Sequence, residues 1–224
     1  MDRRMSTIDK KTPQVEIPVH EQDTENLLLE RLNNSQSERD YFRWLLFVVG
    51  FYRGIQKLDA ATALLRRFIE TSNSDEQKAH CHLNLGQIAT DEQHFEVALK
   101  HFKTALGLKP KQKKIIYVLH NNTAYCLNML HRYPEGERHC RLAIEVNWTR
   151  ASGYRNLGVS LKGQGEIVAA VWALVEAAKL DVSDERARLL LGKLVEENPD
   201  VIVQCPWAIE GLIPNAISES TPRN

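Results

Sequence analysis

The 224-residue chain has no net charge: 29 lysines and arginines balance 29 aspartates and glutamates. A general basic field for nucleic acid is therefore missing, and any electrostatic recognition has to be local. Cysteine is sparse. Cys81, Cys126, Cys140 and Cys205 are too scattered for a CxxC pair, and no charged-then-apolar leader opens the chain, so a reducing, cytoplasmic setting is expected. No apolar run is long enough to span a membrane; the most apolar, Tyr41 to Tyr52, is short and contains Arg43. Proline is scarce between Tyr41 and Asn198, and no alternating run of strand length occurs there. Apolar residues recur instead at three and four, so the body is expected to be all helical.

Signatures of chemistry are missing as well. Nucleophilic catalysis needs a base and an orienting group around its nucleophile, and phosphate binding needs a glycine-rich turn after a strand. Gly163-Gln164-Gly165 fits a turn between helices better. His80-Cys81-His82 has the residue types of a zinc or copper site. On one helix, however, residues two apart lie about 200° around the axis, so His80 and His82 cannot converge on one ion. No enzyme activity, no cofactor and no metal are expected; the rival reading is an enzyme or metal-dependent protein using His80, His82 and His120.

Apolar residues make up 43% of the chain, enough for a core. Residues 1–38 read as a polar tail with one short helix around Leu27, Leu28, Leu29 and Leu32, capped by Asp23 or Thr24 with Glu25 in its first turn. Met1 to about His20 has too little apolar surface to order itself. Residues 199–224 read as an irregular tail, since Pro206, Pro214 and Pro222 interrupt Val201 to Val203, Trp207, Ile209, Leu212 and Ile213.

Between these tails the chain repeats. Ala79 to Pro110 carries Leu85-Gly86 in a first helix, then Ala98, Phe102 and Ala105 in a second, closed by Pro110. The frame returns with Ala124, Tyr133 and Ala143, then with Leu157-Gly158, Ala170 and Ala177. Gly86 precedes Ala124 by 38 residues, Ala124 precedes Gly158 by 34, and Gly158 precedes Gly192 by 34. The four extra residues fall in or beside Lys109 to Lys114. This pattern resembles the tetratricopeptide repeat, in which small residues sit where paired helices cross and proline ends the second helix. The resemblance implies a right-handed α-solenoid over residues 39–198: repeats at about 42–75, 79–112, 117–150 and 151–184, and a capping helix at 185–198. The first repeat is degenerate, with Val49 in place of the small residue, and Gly136 and Cys140 depart from the commoner pattern.

The resemblance also implies that first helices line a concave groove, where function should lie. Helical phase then puts on the open side His80, Leu83, Asn84 and Gln87; Val118, Asn121, Asn122 and Tyr125; and Ser152, Arg155, Asn156 and Val159. Asn84, Asn122 and Asn156 share one phase, and their amides can donate to and accept from an extended peptide backbone. Arg43, Arg53, Arg155, Lys162, Arg186 and Lys193 are expected to lean toward the same side, which favours an acidic segment. The expected function is a cytoplasmic, non-catalytic adaptor or scaffold for protein partners. The alternative is a self-associating assembly factor or secretion-chaperone-like homodimer built through Tyr41 to Tyr52, unless the Leu27 to Leu32 cluster covers that run as a cap.

Overall fold

The computed structural model describes residues 19–212. Nearly all of the Met1-to-His20 stretch, and the part of the tail that holds Ile213, Pro214 and Pro222, lie outside them. The described residues form twelve helices and no strand, divided into two compact units that meet at Gln56 and Lys57. None of these helices is long and apolar enough to cross a membrane.

The first unit contains α1 (Val19–Asn33) and α2 (Glu38–Gly54). Ser37 caps α2 by accepting from the Asp40 backbone N–H, and Glu38 and Asp40 oppose the helix dipole in the first turn. The two helices pack together, with Leu32, Leu45, Val48, Val49 and Tyr52 buried. The Tyr52 hydroxyl donates to Glu25 at 2.8 Å; burial, then that bond, pushes its pKa up to about 12. Leu27 and Phe47 remain exposed.

The second unit runs through α3 (Leu58–Thr71), α4 (Asp75–Asp91), α5 (Phe95–Gly107), α6 (Lys113–Met129), α7 (Tyr133–Val146), α8 (Ala151–Gly163), α9 (Ile167–Leu180), α10 (Glu185–Glu197), α11 (Val201–Gln204) and α12 (Ala208–Leu212). Helices pair as α4 with α5, α6 with α7 and α8 with α9; successive pairs then stack through α5 on α6 and α7 on α8. The turn inside each pair has one residue in the left-handed region: Gln93 (φ 61°), His131 (φ 58°) and Gly165 (φ 81°). In each turn the next N–H reaches back five residues, His94 to Ala89, Arg132 to Leu127 and Glu166 to Leu161. These bonds satisfy carbonyls that the helix end would otherwise leave open. The 109–114 connection is tied down by Glu76, whose carboxylate accepts from the Lys111 and Gln112 N–H groups at 2.7 and 3.2 Å.

Paired helices approach most closely at their small residues. A Cβ added to Gly86 would lie 2.3 Å from the ring of Phe102, which is fully buried with Ala79, Leu83, Ala98, Ile115 and Leu119. Ala124 and Gly158 are buried at the equivalent contacts. At the other end α10 packs on α9, and the segment expected to be irregular adds two short helices around Pro206. Val201, Cys205 and Ala208 enter the core beside Leu174, Leu191 and Leu194, and α12 lies on α9 and α10. Buried apolar groups at these positions gain enough from leaving water to hold even four- and five-residue helices in place.

Two substitutions test this packing through urea-unfolding free energies. Gly86→Ala is expected to destabilise the chain by about 1–3 kcal/mol, because Phe102 has no room to yield. Gln93→Gly is expected to stabilise it by up to about 1 kcal/mol by relieving the left-handed turn.

Candidate functional site

One face each of α6, α8 and α10 converges on a groove of about 420 Å³, lined by Asn121, Asn122, Tyr125, Asn128, Met129, Tyr133, Arg155, Asn156, Val159, Arg186 and Leu190. The spacings explain the convergence. Asn121, Tyr125 and Asn128 follow one stripe of α6, while Arg155 and Val159 on α8, and Arg186 and Leu190 on α10, stand one turn apart. Tyr125 is oriented from behind by Phe95, ring edge to ring face at 6.2 Å. Tyr125 and Met129 expose much of their side chains.

The expected residues divide. Asn121, Asn122, Tyr125, Arg155, Asn156 and Arg186 all line the groove. His80, Asn84 and Gln87 on α4 are not among its walls, and the Asn84 amide donates to the His80 carbonyl of its own helix at 2.9 Å. Leu83, placed on the open side by helical phase, is only 3% exposed, in the core with Phe102, Ile115 and Leu119. The phase of a single helix does not reveal that the next pair stacks against that stripe. One repeat later the same stripe carries Asn121, and there a polar contact replaces the apolar one: Asn156 Nδ2 donates to the Asn121 carbonyl and Oδ1 at 3.2 and 3.1 Å.

Asn156 is 8% exposed and belongs to a polar network beneath the groove floor. Asn128 Nδ2 donates to the Asn156 carbonyl at 3.0 Å, and Ser160 Oγ donates to Asn128 Oδ1 at 2.7 Å. Gly136 makes room for this network, since a Cβ there would stand 2.5 Å from Asn128 Oδ1. The three in-phase asparagines thus play different roles: Asn84 bonds its own helix, Asn122 accepts from Asn121 at 3.5 Å, and Asn156 links two repeats.

Charge is partly neutralised from within. Arg155 forms an ion pair with Asp184, mostly out of solvent, and Lys162 pairs with Glu197 at 2.6 Å. Burial, then the like charge of Arg186, pulls the Arg155 pKa below its ordinary value. Arg186 is exposed at the groove edge, without an ion pair among the described residues. Lys193 lines a neighbouring cleft with Glu185, Arg188 and Glu196. Arg43 pairs with Asp40 within the first unit at 2.5 Å, and Arg53 also belongs to that unit. All four cysteines are buried thiols; burial pushes Cys81 and Cys140 up to about 12, far from a reactive thiolate.

Two contacts escaped helix-by-helix reading. His82 meets His101 across α4 and α5, and His120 meets His139 across α6 and α7, with Nδ1 atoms 3.2 and 3.0 Å apart. Their signal is a 19-residue spacing that occurs twice.

No protein-family model matches the chain. An uncharacterized TPR repeat-containing protein of Arabidopsis thaliana is 31% identical over 137 residues, covering 58% of this chain and 17% of its own. A tetratricopeptide repeat-containing protein of Caenorhabditis elegans is 24% identical over 156 residues, covering 58% and 20%. The chain thus spans about a fifth of these relatives' length. Among solved structures, BtubC from P. vanneervenii superimposes with a TM-score of 0.72 at 12% identity, covering 91% of this chain and 94% of that one. YrrB, a TPR protein with an unusual peptide-binding site, gives 0.58 at 15% identity, covering 86% and 94%. The Saccharomyces cerevisiae Hsp90 co-chaperone Cns1 gives 0.55 at 16% identity, covering 61% and 44%. The curated relatives are TPR repeat-containing proteins, and the fold of this chain is an all-α solenoid like that of these solved structures.

The half-buried histidines set an acid limit on stability. Burial, then the like charge of His139, lowers His120 to about 4; His82, His101 and His139 are lowered too, burial being the largest cause in each. A histidine kept neutral in the fold contributes stability above its unfolded pKa, about 6.5, and loses it as pH falls toward the folded value. The Tm measured in chelator-containing buffer is expected to fall between pH 7 and 5, before most carboxylates titrate. His120→Asn should make that fall shallower, and an unchanged slope would contradict the assignment.

Proposed function

We propose that this chain is a non-catalytic adaptor that binds an extended, acidic peptide segment in the groove formed by α6, α8 and α10. The observation that carries the reading is the grouping of amides, an apolar wall and one unpaired guanidinium within one groove. Asn121 and Asn122 stand where they can exchange hydrogen bonds with a peptide backbone, which gives affinity without strict sequence demands. Tyr125, Met129, Val159 and Leu190 offer an apolar seat for one side chain, and interface energy concentrates on such anchors. Arg186 selects the charge, since Arg155 and Lys162 already hold carboxylates of their own. Asn156 maintains the groove floor and leaves the peptide to its neighbours. The repeat proteins similar to this chain, YrrB with its peptide-binding site among them, support a binding role.

The test is a peptide array of acidic, neutral and basic extended segments, followed by anisotropy titrations of the selected peptides. Tyr125→Ala and Asn122→Ala should each weaken binding about tenfold, equivalent to about 1.4 kcal/mol. Arg186→Glu should turn the preference from acidic to basic peptides. Correctly folded variants that bind as well as the parent would overturn the reading, and a stable dimer in light scattering without peptide binding would favour self-association.

A further inference from the structure

Four histidines of the repeat body form two copies of one arrangement. In each, an imidazole on the first helix of a pair faces one on the second, with Nδ1 atoms 3.2 Å apart for His82 and His101 and 3.0 Å for His120 and His139. Ring centroids are 5.5 and 5.2 Å apart. Partners are separated by 19 residues in both pairs, and the pairs by 38, the interval between Gly86 and Ala124. One repeat further on, Tyr154 and Trp172 meet edge to face instead, so the stacking of helices needs a ring contact here but not an imidazole.

We propose that His120 and His139 chelate a divalent transition-metal ion through their two Nδ1 atoms, and that His82 and His101 form a weaker copy of this site. Nitrogen atoms 3.0–3.2 Å apart, each about 2.0–2.1 Å from a shared ion, subtend about 91–106° at the metal, between a square-planar and a tetrahedral angle. Imidazole suits copper, nickel and zinc, with Cu(II) the tightest of these ions. Proton accounting is simple. Two neutral rings share one Nδ1 hydrogen; that hydrogen moves to Nε2 of its own ring, both Nδ1 lone pairs become available, and no proton leaves the protein.

Neighbouring charge ranks the two copies. The difference is one of degree: at His139 the stronger neighbouring charge, Arg138, is partly offset by Glu135, whereas at His101 the charge of Arg66 adds to burial without such an offset. His139 also lines a groove whose charged walls are Glu96 and Glu135 against Lys100, Lys103 and Arg132, which gives an ion a path to the pair. Among the described residues no group of three or more potential ligands converges. Water therefore completes the coordination, and the site is an open chelate rather than a closed structural centre.

The test titrates the chelator-stripped full chain with CuSO₄ and with ZnCl₂ near neutral pH by calorimetry, and records the electron paramagnetic resonance spectrum of the Cu(II)-loaded protein. Two binding events are expected for the unsubstituted chain. His139→Gln and His120→Gln should each weaken the tighter event at least tenfold, and His101→Gln the weaker one. The spectrum of the unsubstituted chain should show hyperfine structure from two imidazole nitrogens, a readout that does not depend on whether a variant folds. Absence of binding by the unsubstituted chain, titrations unchanged in folded His120→Gln and His139→Gln, or a spectrum without paired nitrogen coupling would overturn the proposal.

Discussion

Everything in the second unit depends on how closely two antiparallel helices can approach. At Gly86 the backbone of α4 meets the face of Phe102 with no space for a methyl group, and that contact fixes the height and tilt of α5 against α4. Buried small residues recur at Ala124 and Gly158, so successive pairs take similar geometry and their outer faces stack. No pair can bury its apolar stripe alone; each needs its neighbour, and the last needs α10 with the short α11 and α12. The groove follows from this stacking, because first helices set side by side leave their remaining stripe facing open space.

The polar residues are organised by the same stacking. Where one pair meets the next, the chain uses apolar contact at Leu83 and amide contact at Asn121 and Asn156. The amide version carries a buried network through Asn128 and Ser160. Such a network is rigid because each of its groups would be costly to leave unpaired. Asn121, Asn122 and Tyr125 therefore project from a fixed floor, and preorganised groups lose less freedom when a flexible segment docks on them.

Much of the architecture was legible in the sequence. The spacing of Gly86, Ala124 and Gly158 locates the pair contacts, and Gly163-Gln164-Gly165 marks a turn. Helical phase on α6 and α8 finds Asn121, Asn122, Tyr125, Arg155 and Asn156. What remained hidden depends on partners from another repeat. Asp184 lies 29 residues from Arg155, Glu197 lies 35 from Lys162, and Leu83 is covered by residues of α6. A charge or an amide read on its own helix looks available until the neighbouring helix is in place. The histidine pairs were missed for the same reason. The two short helices after Pro199 were not legible because nine helical residues in two pieces have no detectable period; their order comes from the surface beneath them.

The central claim, that the α6, α8 and α10 face receives an extended peptide, is tested most directly by nuclear magnetic resonance mapping with a peptide selected on the array. The side-chain amides of Asn121 and Asn122 and the backbone amides around Tyr125, Val159 and Arg186 should shift together and saturate at one peptide per chain. Shifts confined to the opposite α5 and α7 face, or to α1 and α2, would contradict the account.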